Sequence, residues 1–200
     1  MTRYAPCIVA ALSLAAATRG ALAQAPGSSD WGYYGGDALG QHFSSLDLIN
    51  RRNVAQLAPA WTYRTGELGA GFASAGKLTF EATPVLAFGH LYLETATNVV
   101  IALDPESGRE RWRFDPHIDR ARHYAEASAR GVSVWAAGAA ANGVCRRRIF
   151  TGTLDARLLA LDADTGRPCA DFGAGGEVDL TRGLRIRDAG AYRLPRRRRS

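Results

Sequence analysis

The chain has 200 residues, is 46% hydrophobic and carries a formal net charge of +6, a value that by itself suggests nucleic acid or anionic lipid as a partner. Residues 1–23 hold two Arg and no acidic residue, and residues 185–200 hold seven Arg and one Asp. Residues 24–184 therefore contain 16 basic and 18 acidic residues, so the body is near neutral and nothing outside the tail supports nucleic-acid binding.

The first 23 residues have the pattern of an export signal. Arg3 precedes an apolar stretch at 5–17, and Ala21-Leu22-Ala23 forms a small-residue ending. This pattern predicts a secretory signal peptide that is cleaved before Gln24. The alternative is an uncleaved membrane anchor, but the apolar core is shorter than the roughly 20 residues that a spanning helix needs.

The next part of the chain has few signs of regular structure. Residues 30–50 are rich in Gly and aromatic side chains, which predicts irregular backbone with tight turns. We expect one helical turn at 52–57, a strand at 60–64 and a flexible Gly/Ala loop at 66–76.

From residue 83 onwards, apolar and polar residues alternate between Gly and Asp turns, which predicts an all-β array. The predicted strands lie at 83–87, 90–95, 99–104, 110–114, 133–137, 147–154, 158–162 and 177–179. Residues 115–129 are polar, and their pattern is compatible with a helix.

Two segments of the β region repeat each other. Residues 90–114 and 148–172 align without a gap at an offset of 58, and each contains a predicted β-hairpin. The recurring residues are Ala102, Leu103, Asp104, Ser107 and Gly108, which return as Ala160, Leu161, Asp162, Thr165 and Gly166. Self-similarity of this length is typical of a β-propeller or a related array.

The repeated motif has its own physical logic. Asp104 and Ser107 can bond local backbone amides, while Gly108 permits the positive φ that tightens the turn. Trp112 offers a large flat surface that can pack against a neighbouring sheet. Ala170 occupies the equivalent position of the second copy, so that docking contact is absent there. We assign these residues a structural role.

The cysteines fit an exported protein. Cys7 leaves with the signal peptide, and Cys145 and Cys169 flank the second hairpin, whose turn is predicted near 155–157. That turn places the two thiols nearly opposite each other, which favours a disulfide in an oxidising compartment. The alternative is a pair of unlinked thiols. A metal site is disfavoured, because two Cys without a nearby His form a poor ligand set.

The last 16 residues, 185–200, form an Arg-rich tail with two interpretations. It can be a basic interaction tail. The other interpretation is a departure from the proper reading frame, since Arg outnumbers Lys 24 to one and misread GC-rich sequence often yields Arg and Pro.

The motif A-x-D-x-x-[ST]-G-x-x-x-W resembles the tryptophan-docking motif of quinoprotein dehydrogenases, eight-bladed propellers that hold pyrroloquinoline quinone (PQQ). The similarity is greatest to their membrane-type glucose/quinate/shikimate branch and runs from residue 30 to about 192. The matching stretches are 30–37, 46–57, 60–66, 80–84, 101–105, 130–133 and 171–173. The resemblance implies that residues 24–184 are the N-terminal blades of an incomplete eight-bladed propeller.

The same resemblance implies two cofactor-binding residues. Glu81 precedes Ala82-Thr83-Pro84 and matches a position that contacts PQQ in alcohol-oxidising relatives. Arg130 opens Arg-Gly-Val and resembles the arginine that pairs with the acidic quinone, a tricarboxylate suited to bidentate Arg donors. The other interpretations are a solvated carboxylate at a strand entrance and a surface Arg in a loop.

The chain also departs from the family. Ala129 stands where many relatives have Cys, and after Tyr192 the family continues with Thr-Ser-Pro-Pro and further blades. By this resemblance the calcium ligands and the catalytic base lie in that further part. We therefore assign no catalytic residue and no metal ligand in this chain, and we expect the truncated chain to be inactive.

The resemblance implies a periplasmic PQQ-dependent dehydrogenase that oxidises a sugar or polyol alcohol, with calcium as Lewis acid. Its expected partners are the substrate, a respiratory quinone or other electron-transfer partner, and the inner membrane, but not nucleic acid. The alternative is a non-enzymatic periplasmic propeller scaffold of the outer-membrane assembly type. Glu81 and Arg130 argue against the scaffold, which has no need of cofactor contacts.

Overall fold

The computed structural model describes residues 30–67, 71–72, 78–124, 126–138 and 142–184. The predicted signal peptide, the Arg-rich tail and part of the predicted 66–76 loop lie outside these residues. Among these described residues, strands make up nearly all of the regular structure, together with a 3-10 helix at Val54–Gln56 where a helical turn was predicted. The strands are β1 Leu78–Phe80, β2 Val85–Ala87, β3 His90–Glu94, β4 Val100–Leu103, β5 Glu110–Phe114, β6 Ala127–Ala129, β7 Ser133–Ala136, β8 Arg147–Gly152, β9 Arg157–Asp162 and β10 Glu177–Asp179.

Eight of the strands form two four-stranded antiparallel sheets. The first blade has the order β2-β3-β4-β5, and the second blade has the order β7-β8-β9-β10. Their central hairpins have the same register at the predicted offset of 58, because Tyr92 pairs with Ala102 and Phe150 pairs with Ala160. The predicted repeat is therefore confirmed as one β-blade that occurs twice.

The remaining two strands form a parallel pair. Leu78, Thr79 and Phe80 of β1 lie opposite Ala127, Ser128 and Ala129 of β6. Each of these short strands precedes a blade. Their pairing therefore places the segments that lead into the two blades next to each other. Neither strand was predicted from the sequence.

The main core lies between the blades. Tyr92 and Val100 of the first blade are fully buried, as are Ile149 and Leu161 of the second, and all four belong to one cluster. The Tyr92 hydroxyl donates a 3.1 Å hydrogen bond to the Ala163 carbonyl, so the polar end of this buried ring is satisfied across the interface. Burial of such side chains stabilises the packing by about 1.5–3 kcal/mol each.

Two predictions of local structure were wrong. Residues 60–64 form no strand, because they pair with no neighbouring strand among the described residues. The described part of 115–129 contains β6 but no helix. Pro116 has no amide hydrogen to donate, and the Asp115 and Asp119 carboxylates accept the amides of His117 and Ala121. Such local bonds compete with a helical backbone.

No described helix has both the length and the apolar character needed to span a membrane.

Candidate functional site

The repeated turns have the geometry that their residues predict. In the first blade Asp104 Oδ1 accepts hydrogen bonds from the Ser107 amide at 2.9 Å and from its hydroxyl at 2.8 Å. In the second blade Asp162 Oδ1 accepts the corresponding bonds from Thr165 at 2.9 and 2.8 Å. The two turns are thus built alike, and each fixes the backbone at the point where the second strand of the central hairpin, β4 or β9, ends.

A tryptophan packs on each of these turns. Trp112 of the first blade covers Gly166 of the second, where a Cβ would lie 2.5 Å from the ring, and its Nε1 donates to the Ala163 carbonyl at 2.9 Å. The predicted docking of Trp112 on a neighbouring sheet is confirmed. Trp61 covers Gly108 in the same way and donates to the Pro105 carbonyl at 3.1 Å. The 60–64 segment therefore supplies a docking residue although it is not a strand.

The two residues assigned to cofactor binding lie together. Glu81 directly follows β1 and Arg130 directly follows β6, so the parallel register places them at neighbouring positions. Arg130 Nη2 lies 2.8 Å from Glu81 Oε2, and the Arg130 side chain remains 61% exposed. Thr79 donates a 3.1 Å hydrogen bond to the other oxygen of Glu81, which fixes the carboxylate in place.

Close backbone packing holds the two loops in contact. Gly131 has a φ of +103°, and a Cβ at this position would lie 2.9 Å from the Thr83 carbonyl oxygen. Any side chain at residue 131 would push the Arg130 loop away from the loop that carries Glu81. The glycine therefore allows the approach that brings the guanidinium to the carboxylate.

A buried acid that the sequence reasoning missed lies next to this loop. Glu94, the last residue of β3, is 2% exposed. It accepts hydrogen bonds from Asn98 Nδ2 at 2.9 Å and from the Thr151 hydroxyl. Burial raises the pKa of the Glu94 carboxyl to about 7, although these two bonds and the nearby Gly131 backbone favour its ionised form. The available signal was an acidic residue at the end of an otherwise apolar strand.

Cys145 and Cys169 are joined by a disulfide. The Cα atoms of Cys145 and Cys169 are 5.8 Å apart. With Asp171 they form a group of three side chains that could in principle hold a metal ion. A disulfide offers no thiolate, so the described residues of this group do not form a convincing metal centre.

The fold and the loop motifs match one protein family. The family model for the PQQ glucose/ethanol/alcohol dehydrogenase β-propeller domain matches residues 31–196. The chain belongs to this family. It is 36% identical to quinoprotein glucose dehydrogenase A of Acinetobacter calcoaceticus, over 82% of this chain and 22% of that protein. It is 38% identical to the quinate/shikimate dehydrogenase (quinone) of Acinetobacter baylyi, over 78% of this chain and 20% of that protein.

A solved structure supports the same assignment. The quinohemoprotein alcohol dehydrogenase from Comamonas testosteroni superimposes with a TM-score of 0.58 at 30% identity, over 78% of this chain and 20% of that chain. The two blades described above are therefore part of a quinoprotein β-propeller. The chain spans about a fifth of the length of the curated relatives that it matches.

The described residues of this quinoprotein propeller can be tested for fit to PQQ. Arg130 has five N–H donors, and its single close contact with Glu81 leaves much of the exposed guanidinium open to a carboxylate. This donor set suits a tricarboxylate. Calcium prefers several oxygen ligands, whereas the three-residue group found among the described side chains contains two disulfide sulfurs. Arg130 is therefore the candidate among the described residues for contact with the quinone, and this three-residue group is not a candidate calcium site.

Proposed function

We propose that this chain contributes part of the PQQ-binding site of a periplasmic dehydrogenase that oxidises a sugar or polyol alcohol. The observation that carries the proposal is the Glu81–Arg130 pair, held at the ends of two paired strands. Arg130 binds a carboxylate of the quinone, and Glu81 orients the guanidinium. PQQ, when bound, supplies the capacity to accept two electrons from an alcohol.

The names of the relatives support the proposed substrate class. The matched proteins include glucose, quinate/shikimate and glycerol dehydrogenases, whose named substrates carry several hydroxyl groups. In our proposal one hydroxyl-bearing carbon of such a substrate becomes a carbonyl, losing two electrons and two protons. Bound PQQ would accept these two electrons and two protons, and the respiratory quinone pool would be their final acceptor.

Export to the periplasm is part of the same proposal. The disulfide between Cys145 and Cys169 supports it, because such bonds persist in oxidising compartments. Mass spectrometry of the exported protein should give a mature chain that begins at Gln24. A thiol assay after non-reducing denaturation should find no free thiol, and two free thiols per chain would contradict both the bond and the compartment.

The test is a titration of the full-length exported protein, which contains these two blades, with PQQ. Arg130→Ala should weaken binding by about 10- to 100-fold, because hydrogen bonds to charged groups contribute about 1.5–3 kcal/mol. The matched control is Arg113→Ala, which removes another arginine that is paired with a carboxylate, 3.2 Å from Glu110 on β5. The control should bind PQQ like the wild type. Folded wild-type protein that binds no PQQ would instead favour the scaffold function.

A further inference from the structure

Residues 61–67 have the burial pattern of a strand. The residues at odd positions are partly buried, and those at even positions are exposed. This period of two is that of an extended strand with one face against a neighbour. Residues 61–67 nevertheless make no backbone–backbone hydrogen bond with another described residue. The segment is therefore strand-like on its packed face and has no partner strand in the described part of the chain.

The 61–67 segment packs on the first blade as β5 packs on the second. Trp61 Nε1 donates to the Pro105 carbonyl at 3.1 Å. Trp112 Nε1 donates to the Ala163 carbonyl at 2.9 Å. Pro105 and Ala163 are equivalent at the offset of 58 between the blades, and each ring covers the glycine of its turn. The two tryptophans, 51 positions apart, therefore hold equivalent places on successive blades.

The same offset of 51 continues along the segment. Tyr63 packs on the apolar cluster of the first blade, and its equivalent Phe114 packs on the cluster between the blades. Glu67 accepts two amides at the tip of the β3–β4 hairpin, at 2.9 and 3.1 Å. Its equivalent Ile118 belongs to a cluster that packs against Leu154, at the tip of the β8–β9 hairpin. The segment thus follows the whole length of the first blade, as β5 and the residues after it follow the second.

The cover that the segment gives is incomplete. β5 is the outer strand of a four-stranded blade and pairs with β4, so a whole sheet faces the second blade. Under that sheet Ile149 is fully buried. Its equivalent in the first blade, Leu91, is only partly buried. The first blade therefore has the outer strand of a neighbouring sheet against it and room for the inner strands of the same sheet.

We propose that residues 61–67 are the outer strand of a further four-stranded blade, whose inner strands come from a part of the full-length protein beyond these 200 residues. The chain spans about a fifth of the curated relatives, so most of a full-length member remains to supply them. A second copy of the chain is a poorer partner, because each of its described blades already has an outer strand, β5 or β10. The assembly of this composite blade is independent of PQQ binding.

The pairing within the first blade defines the chemistry of the partner strand. β4 runs antiparallel to β5 and places Ala102 opposite Trp112 and Val100 opposite Phe114. Bulky side chains at those positions would compete with the rings for the same face of the sheet. The partner strand therefore runs antiparallel to the 61–67 segment and has small or aliphatic side chains opposite its two aromatic rings.

A site-specific photo-cross-link in the full-length exported protein tests the proposal. A benzophenone amino acid replaces Thr62, which is exposed on the segment. The matched control carries it at Arg113, the exposed equivalent on β5. The control should link to β4, where Ile101 lies opposite residue 113, or to the adjacent Tyr63. The Thr62 variant should link within one polypeptide to a peptide outside these 200 residues, as identified by mass spectrometry.

Three other results of this experiment would overturn the proposal. Products of doubled mass would identify a second copy as the partner. Links that stay within the 200 residues would mean that the segment pairs with this part of the chain. The third is the absence of any link from residue 62 when the control at residue 113 links efficiently. None of these readouts uses PQQ, so they leave the proposed function untouched.

Hydrogen exchange of the unsubstituted full-length protein gives a second readout that needs no variant. A paired strand directs every second amide toward its partner, so alternate amides of residues 61–67 should be protected. We expect them to exchange at least about tenfold more slowly than in an unstructured peptide of the same sequence. β5 serves as the internal reference, since its pairing with β4 is known. Exchange of the whole segment at the unstructured rate would overturn the strand assignment.

Discussion

In the first blade the outer strand β5 pairs with β4 over residues 110–114 and carries Trp112. In the second blade the equivalent residues 168–172 form only one bridge, between Leu161 and Pro168. The outer strand β10 comes later in the chain, at Glu177–Asp179. Pro168 cannot donate a backbone hydrogen bond. Because of this residue, the second blade has no strand at the position that corresponds to β5.

The difference shows how each blade edge is held. Trp61 packs on the turn of the first blade and Trp112 on the turn of the second, but the second blade has Ala170 at the equivalent position. There the disulfide links Cys169 to Cys145 near the start of β8. The first blade has Ala87 and Arg111 at the two equivalent positions. A covalent bond thus secures the outer segment of the second blade, which carries Ala170 in place of a docking tryptophan.

The largest effect expected from this comparison is the loss of Trp112. Trp112→Ala should lower the free energy of unfolding by about 4 kcal/mol, because the ring is buried between the blades. Trp61→Ala should cost roughly half as much, since Trp61 is only partly buried. Urea unfolding of the two variants and the wild type measures both effects. Trp135→Ala is the control, as Trp135 is 46% exposed, and equal losses for Trp61 and Trp112 would contradict the comparison.

The disulfide should have the next largest effect. Its cysteines are 24 residues apart, so the double replacement of Cys145 and Cys169 by Ala should lower the free energy of unfolding by about 3 kcal/mol. A reducing agent should destabilise the wild type by a similar amount and leave the double variant unchanged. If reduction has no effect on the wild type, the second edge is held by other contacts.

Features that are local or repeated could be predicted from the sequence. The turn of Asp104 depends on residues within five positions of it, and the hairpin register follows from the repeat itself. By contrast, residues 60–64 have the composition of a strand, but a strand also requires a partner, and none pairs with them among the described residues. The sequence therefore predicts a strand that contains Trp61. It does not predict that Trp61 covers the turn at Gly108, 47 residues away.

The candidate site was predictable only in part. Glu81 and Arg130 were indicated by family resemblance, but their contact depends on the parallel pairing of β1 with β6. Those strands have three residues each, which is too short for a periodicity signal. Glu94 was missed because the contact that fixes it in the packed blades comes from Thr151, 57 residues away in the chain. Such burial is a property of the packed blades.

Glu94 gives a smaller effect that depends on pH. Its folded-state pKa of about 7 lies above the ordinary value of 4.5, so the folded state binds the proton more tightly than the unfolded state. The stabilisation is therefore fully present below pH 4.5 and is lost as the pH rises to about 7. Between pH 4.5 and 6 the wild type should lose about 2 kcal/mol relative to Glu94→Gln. A difference between the two proteins that does not change over this range would contradict the raised pKa.

The smallest expected effect isolates the second oxygen of the turn aspartates. Asp162 is 4% exposed, and its Oδ2 accepts the backbone amide of Cys145 at 2.6 Å, whereas Oδ2 of Asp104 faces the partly exposed guanidinium of Arg111. Replacement by Asn keeps one acceptor for the turn in both blades.

Burial raises the pKa of Asp162, but the bonds from Cys145 and Thr165 outweigh it and hold the pKa below its ordinary value. The stabilisation from Asp162 is therefore present above about pH 4 and is lost as the pH falls through the folded pKa.

At neutral pH Asp162→Asn should lower the free energy of unfolding by about 1–2 kcal/mol, because it leaves the buried Cys145 amide without an acceptor. Asp104→Asn should have a smaller effect, since water can replace the contact with Arg111. Parallel urea titrations of the two variants at pH 7 measure the difference. Equal losses would mean that the turn bonds, which are the same in both blades, account for the whole effect. A larger loss for Asp162→Asn would show that the second blade uses this carboxylate to anchor the segment that leads into its disulfide.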